Sequence, residues 1–210
     1  MNSNSLPAIF VAAAASLVAS AQSASGAIIT FTQQSIWEFY SQGQGAALSL
    51  ETFDSYGGFY TSPLTGTAGG VNWSASAPGG LFVGSVAGSP ALSTNLVEPL
   101  TISFAGAPLQ GVAGRFFGTD VNFNVVPALI TVSLQDGSSF VGFVTDAAAF
   151  TGFYSTGPAI TSISFTAQAP PGGSGVVYPT VDDLRFAVIP APGAVALLGL
   201  AGLVGFRRRR

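Results

Sequence analysis

The chain contains no cysteine and no histidine, and all six of its basic residues are arginine. Without cysteine there is no disulfide, no thiolate nucleophile and no thiolate-bound metal. Without histidine the commonest proton shuttle and metal ligand is missing, and a Ser-His-Asp triad cannot be assembled. Positive charge is scarcest where a folded domain would lie. Between Gln22 and Ile189 only Arg115 and Arg185 stand against nine acids, a net charge of about −7. Phosphate binding draws on clustered positive charge, so a nucleic-acid partner is excluded. The same stretch lacks any long run with helical periodicity.

What is present begins with two apolar ends. Leu6 to Val18 is an alanine-rich apolar run, followed by Ala19-Ser20-Ala21. Small residues at those positions suit a signal peptidase cutting before Gln22, although the preceding residues carry no Lys or Arg. At the other end, Pro190-Ala191-Pro192-Gly193 leads into an apolar run up to Phe206, and Arg207, Arg208, Arg209 and Arg210 close the chain. An apolar segment stopped by arginines predicts a membrane anchor whose basic end stays cytoplasmic. A helix from Gly193 to Phe206 is about 21 Å long, short of a hydrocarbon core of roughly 30 Å. The anchor is therefore expected to be temporary.

The order of proline motif, apolar helix and basic cluster resembles the PEP-CTERM sorting signal, with Ala191 where that family usually has Glu. The resemblance covers Pro190 to Arg210. It implies recognition by an exosortase-like membrane enzyme, cleavage near Pro190, transient inner-membrane anchoring, and delivery to the cell surface or extracellular matrix.

Residues 22–189 are left as one domain. A chain of this length buries roughly 70% of its extended surface, enough for a single core. Its apolar residues fall in short stretches between turn signals. Candidate strands are Ala27 to Thr32, Ala47 to Phe53, Gly70 to Ser74, Leu81 to Val86, Leu100 to Phe104, Val112 to Phe117, Ala128 to Leu134, Ser139 to Val144, Ile160 to Phe165 and Val181 to Val188. Ile130, Val132 and Leu134 alternate with Thr131 and Ser133, the pattern of a half-buried strand. Asp136-Gly137 predicts a two-residue type I′ hairpin turn. Ser41 to Gly45 and Pro170 to Ser174 are expected to be polar loops. The sum predicts an all-β sandwich or jelly roll, with most phenylalanines in its core.

Leu50-Glu51-Thr52-Phe53-Asp54 and Val181-Asp182-Asp183-Leu184-Arg185-Phe186 resemble the opening and closing strands of exported bacterial jelly-roll domains, which are similar to carbohydrate-binding modules. If these strands pair, Glu51, Asp54, Asp182 and Asp183 converge and could hold a structural calcium, which takes six to eight oxygens. Alternation that turns Leu184, Phe186 and Val188 inward turns Asp183 and Arg185 outward and leaves Asp182 at inward parity. There a carboxylate needs a partner, a cap or a metal.

Three functions remain open. A glycan- or matrix-binding module would use amphipathic rings, for which Tyr56, Tyr60 and Tyr178 are the candidates, with an extracellular polysaccharide as partner. Trp37, Tyr40, Trp73 and Tyr154 share that chemistry, and all seven rings could equally anchor loops. A structural surface protein would have no groove. A glycoside hydrolase would need paired carboxylates at a fixed separation, drawn from Glu38, Glu51 and Glu98. No catalytic motif surrounds those acids, so a non-enzyme is expected. Arg115 is expected to pair with one of the acids or contact an acidic ligand.

Overall fold

A computed structural model describes residues 26–190. They form two packed antiparallel sheets and one short helix. In chain order the elements are β1 (Ile28–Phe31), α1 (Gln34–Gly43), β2 (Ala47–Glu51), β3 (Gly58–Tyr60), β4 (Leu64–Ala68), β5 (Val71–Ser76), β6 (Leu81–Val86) and β7 (Ser89–Thr94). There follow β8 (Leu100–Gly106), β9 (Leu109–Thr119), β10 (Val125–Val126), β11 (Ala128–Leu134), β12 (Ser139–Val144), β13 (Phe150–Ser155), β14 (Ser162–Gln168) and β15 (Tyr178–Val188). The nine-stranded sheet runs β1-β13-β9-β15-β7-β6-β3, with β10 beside β9 and β2 beside β15. The six-stranded sheet runs β12-β11-β14-β8-β5-β4. The expected β-sandwich is therefore the observed architecture.

The alternating strand β11 buries Ile130, Val132 and Leu134 and leaves Thr131 and Ser133 half-exposed. Rings join the two sheets. Phe116 of β9 meets Phe165 of β14 edge-on at 5.2 Å, and Phe186 of β15 meets Phe104 of β8 at 5.8 Å. Each such pair adds about 0.5–1.5 kcal/mol beyond the area it buries. Strands β9 and β15 are buried along nearly their whole length because both faces are covered. One face meets the second sheet, and the other lies partly under α1.

The helix takes in Ser41 to Gly43, expected to be part of a polar loop, and Gln34 to Tyr40, which fall in none of the candidate strands. It is short and has no side-chain N-cap bond. Trp37 fixes it to the sheet: the indole is fully buried among Ala113, Tyr154 and Ala187, and its Nε1–H donates to the Phe153 carbonyl at 3.1 Å.

Two local expectations change. The β11–β12 hairpin does not use a two-residue type I′ turn. Gly137 N–H donates to Leu134 O, Leu134 N–H donates to Ser138 O, and Gly137 alone has a positive φ of 88°. This is a type I turn followed by a left-handed glycine, stabilised as the Asp136 carboxylate accepts from Ser138 N–H at 2.9 Å. In β15 the inward alternation breaks at Asp183, whose φ is 51°, and the register against β9 shifts between Asp182 and Arg185. Val181 and Leu184 both reach the core, three residues apart. Asp182 faces the same way as its cross-strand partner Arg115, away from the second sheet.

Candidate functional site

The outer face of the nine-stranded sheet holds a cleft of about 340 Å³. Its floor comes from Phe82 of β6, Ser93 and Thr94 of β7 and Tyr178 of β15. Phe82, Ser93 and Tyr178 point outward because Leu81, Val83, Leu92 and Val181 take the inward positions, while Thr94, opposite Leu81, lies at the buried edge of the floor. The floor is braced from within. Thr119 and Thr180 share a hydroxyl hydrogen bond of 2.7 Å, Thr180 donates to Ser93 at 3.0 Å, and Ser93 donates to the Pro179 carbonyl at 3.1 Å.

The loop between β9 and β10 forms the roof. Phe123 lies over Gly84, where a Cβ would come within 2.6 Å of the phenyl ring, and meets Phe82 at 5.6 Å between centroids. Its φ of 63° is left-handed, a conformation costing a non-glycine residue about 1–2 kcal/mol. Asp120 sustains it. One carboxylate oxygen accepts from the N–H groups of Asn122 (2.8 Å) and Asn124 (2.9 Å), and the other accepts from the Asn124 amide at 2.9 Å. The Asn124 side chain first, and then its N–H, hold the Asp120 carboxyl below the usual carboxylate range. The cleft thus combines three aromatic rings with the polar groups of Ser93, Asn95, Asn122 and an ionised Asp120. Phe59 extends the aromatic row, directly opposite Phe82 and half-exposed.

Of the three tyrosines chosen from sequence, only Tyr178 lines this cleft. Tyr60 lies opposite Leu81, on the core side of β3. Tyr56 packs against Tyr60, Phe53 and Trp73, and its hydroxyl donates to the Thr65 carbonyl at 3.2 Å. The Tyr60 hydroxyl accepts from Gly57 N–H at 3.0 Å. Both rings anchor the loop around β3. Tyr154 also packs under α1, against Tyr40 at 5.2 Å. Sequence reasoning missed Phe82 and Phe123. The available signal was an apolar residue inside an Asp/Asn-rich turn, Asp120-Val121-Asn122-Phe123-Asn124.

Strands β2 and β15 pair, with Glu51 opposite Leu184, but the acids at their ends are engaged separately. Glu51 accepts from Trp73 Nε1–H at 3.0 Å and from Phe53 N–H at 2.9 Å. Asp54 accepts from the Thr52 hydroxyl at 2.7 Å in an exposed turn. Asp183 pairs with Arg115 at 3.1 Å and Arg185 at 3.6 Å. Among the described residues no three acidic, histidine or cysteine side chains form a metal-binding group. The hydrolase candidates are likewise each engaged by a different partner: Glu38 pairs with Arg185 at 3.3 Å, Glu51 holds Trp73, and Glu98 accepts from Gly79 N–H at 2.7 Å.

Asp182 is buried, and desolvation raises its pKa despite the opposing hydrogen bonds from Asp183 N–H and Ser89. A raised folded pKa means that this group's stabilising contribution is complete below the unfolded value of 3.8 and is lost as pH climbs through the folded value. Asp182→Asn is therefore expected to melt higher than the parent at pH 7 and to converge with it below about pH 4. Melting curves of both proteins across that range check this. A variant that melts lower at pH 7 would show that the carboxylate stabilises the fold. Acid loss of the Asp120 bonds affects both proteins alike and cancels in the difference.

The signal segment 1–21 and the sorting residues Ala191, Pro192, Gly193 and Arg207 to Arg210 lie outside the described residues. Pro190 is exposed at the end of β15. Among the described residues no helix is long and apolar enough to cross a membrane.

No protein-family profile matches the chain, and no curated relative does. Among solved structures it is similar to family 29 carbohydrate-binding modules. One covers 69% of this chain and 95% of its own at 11% identity and a TM-score of 0.34. A variant complexed with cellulohexaose and another complexed with mannohexaose each match at 10% identity and a TM-score of 0.34, over 68% of this chain and 91% and 92% of their own. A likeness this loose assigns neither family nor ligand.

Proposed function

We propose that the folded domain is a non-catalytic, jelly-roll-like module of the cell surface or extracellular matrix, and that it binds glycan in the cleft beneath Phe123. One observation carries the binding reading: Phe82, Phe123 and Tyr178 line a cleft also bordered by amide, hydroxyl and carboxylate groups. Ring faces take the apolar C–H face of a sugar, and a few placed polar groups fix its hydroxyls. The backbone strain at Phe123 gives the same reading, since a left-handed phenylalanine held by the five hydrogen bonds of an Asp-anchored turn presents its ring at a cost the core does not require.

The surface location rests on the two ends of the sequence. Signal peptidase removes residues 1–21, an exosortase-like enzyme acts near Pro190, and the basic cluster serves as the stop. The test joins both halves of the proposal. Protein extracted from the cell exterior is weighed by mass spectrometry and then applied to a panel of insoluble polysaccharides. A mass corresponding to a start at Gln22 and an end near Pro190, with retention on at least one polysaccharide, is the expected result. The intact chain in cytosol overturns the export reading, and failure to bind any polysaccharide overturns the binding reading.

A further inference from the structure

The cleft does not end at Tyr178. A second depression of about 620 Å³ opens beyond it, and Asp120, Val121 and Tyr178 line both. Its outer wall is the glycine-rich loop that reaches from Pro170 to Val177, and Val126, Pro127 and Ala169 supply its base. Val121, 73% exposed, stands on the shared rim, and Val176, 55% exposed, borders the second depression alone. The first cleft alone lies near the lower end of small-ligand pockets, roughly 300–1,000 Å³. A site with a shared wall and open depressions on both sides of it suits a chain laid across that wall better than a compact molecule.

Charge narrows the chain's chemistry. Neither depression is lined by an arginine, and Asp120 is the one ionisable acid in either lining. The two arginines of the described residues are both committed elsewhere, Arg115 to Asp183 and Arg185 to Asp183 and Glu38. A uronate or sulfate in this site would face the Asp120 carboxylate without a counter-ion, on a domain of about −7. Hydroxyl groups face no such cost, and the side-chain amides of Asn95 and Asn122 offer both donors and acceptors to them. We propose that the two depressions form one groove and that its ligand is an extended, uncharged polysaccharide chain crossing Tyr178. This rests on the glycan-binding reading above and specifies its ligand class.

The experiment is calorimetric titration with neutral gluco-, manno-, galacto- and xylo-oligosaccharides, from disaccharide to hexasaccharide, beside alginate and polygalacturonate fragments of matched length. It is run at low and high salt, on the parent domain and on Val176→Glu, a change at an exposed position touching only the second depression. At least one neutral series is expected to bind, with the hexasaccharide about 10-fold tighter than the disaccharide. Val176→Glu should remove that gain and leave the disaccharide unchanged. The acidic fragments should not bind at either salt concentration. Preference for an acidic fragment overturns the proposal, as does an affinity independent of length and indifferent to Val176→Glu. If neither neutral nor acidic sugars bind, the glycan-binding reading itself falls, an outcome distinct from the other two.

Discussion

Trp37→Ala should cost the domain about 3–5 kcal/mol, the usual penalty for emptying a buried aromatic site. The indole has no exposed surface. It lies against Gly111 and Gly152, where even a Cβ would come within 3.1 Å and 2.6 Å of the ring. Those two positions on β9 and β13 are small so that the ring can reach the sheet. Without the ring, α1 has little left to hold it: Ser41 is its other buried residue, and Phe39 is 80% exposed. A ten-residue helix is marginal on its own in water, so the segment should detach as a unit. Against a total stability of about 5–15 kcal/mol, the loss is roughly a fifth or more, and the melting temperature should fall by about 10 °C. Trp37→Phe keeps most of the packing and loses the 3.1 Å bond to Phe153 O, for about 1 kcal/mol. Equilibrium denaturation of the three proteins checks the order. A Trp37→Ala loss below about 1 kcal/mol would show that the helix is not clamped by this ring.

The same helix shows where a sequence stops being legible. Its residues Gln34-Ser35-Ile36-Trp37-Glu38-Phe39-Tyr40-Ser41 have no capping signal and put Ile36 and Phe39 toward solvent. What makes the segment helical is a socket on strands far along the chain, and no local pattern reports a socket. Strand β11 was legible because one of its faces is inner and the other half-exposed, which writes an alternation into the residues. Strand β13, Phe150-Thr151-Gly152-Phe153-Tyr154-Ser155, was not, because both of its faces are covered and Gly152 interrupts the run. Strand β7 contains Pro90 and ends in Ser93-Thr94, a composition that suggests a turn; Ser93 is buried in the Thr119–Thr180–Ser93 hydrogen-bond chain, and the buried Thr94 hydroxyl donates to the Leu96 carbonyl.

The acids teach a related lesson. The pairing of β2 with β15 was legible from the ends of the domain, but the direction of each carboxylate was not. A single bulge at Asp183 turned Asp182 onto the outer face and freed Asp183 for the two arginines. Glu51 turned instead toward the Trp73 indole, a partner on the other sheet that spacing along the chain does not suggest. In the cleft, Tyr178 stood out as a ring with a polar tip, whereas Phe82 and Phe123 looked like core. Phenylalanine carries no mark of exposure. Only the register that sends Leu81 and Val83 inward shows that Phe82 points out.

That register supplies the sharpest way to separate binding from folding. Gly84 occupies an outward position on β6, directly beneath Phe123. Its φ is not in the left-handed region, so the backbone accepts any residue, and valine is favoured in strands. A side chain there meets the phenyl ring at 2.6 Å and must displace it. Gly84→Val should therefore move the roof of the cleft without disturbing the core. Phe123→Gly removes the ring by the opposite route. It also relieves the left-handed strain of about 1–2 kcal/mol, which offsets part of the missing apolar packing against Phe82. Both variants should weaken glycan binding about 30-fold, or ~2 kcal/mol, the scale of a central aromatic contact. Both should melt within a few degrees of the parent, a shift of about 1 kcal/mol or less. Tyr56→Phe, which removes only the hydroxyl bonded to Thr65 O, should leave affinity unchanged, since that ring serves its own loop. Unaltered affinity in Gly84→Val and Phe123→Gly would place the binding surface elsewhere, and weakened affinity in Tyr56→Phe would return it to the loop around β3.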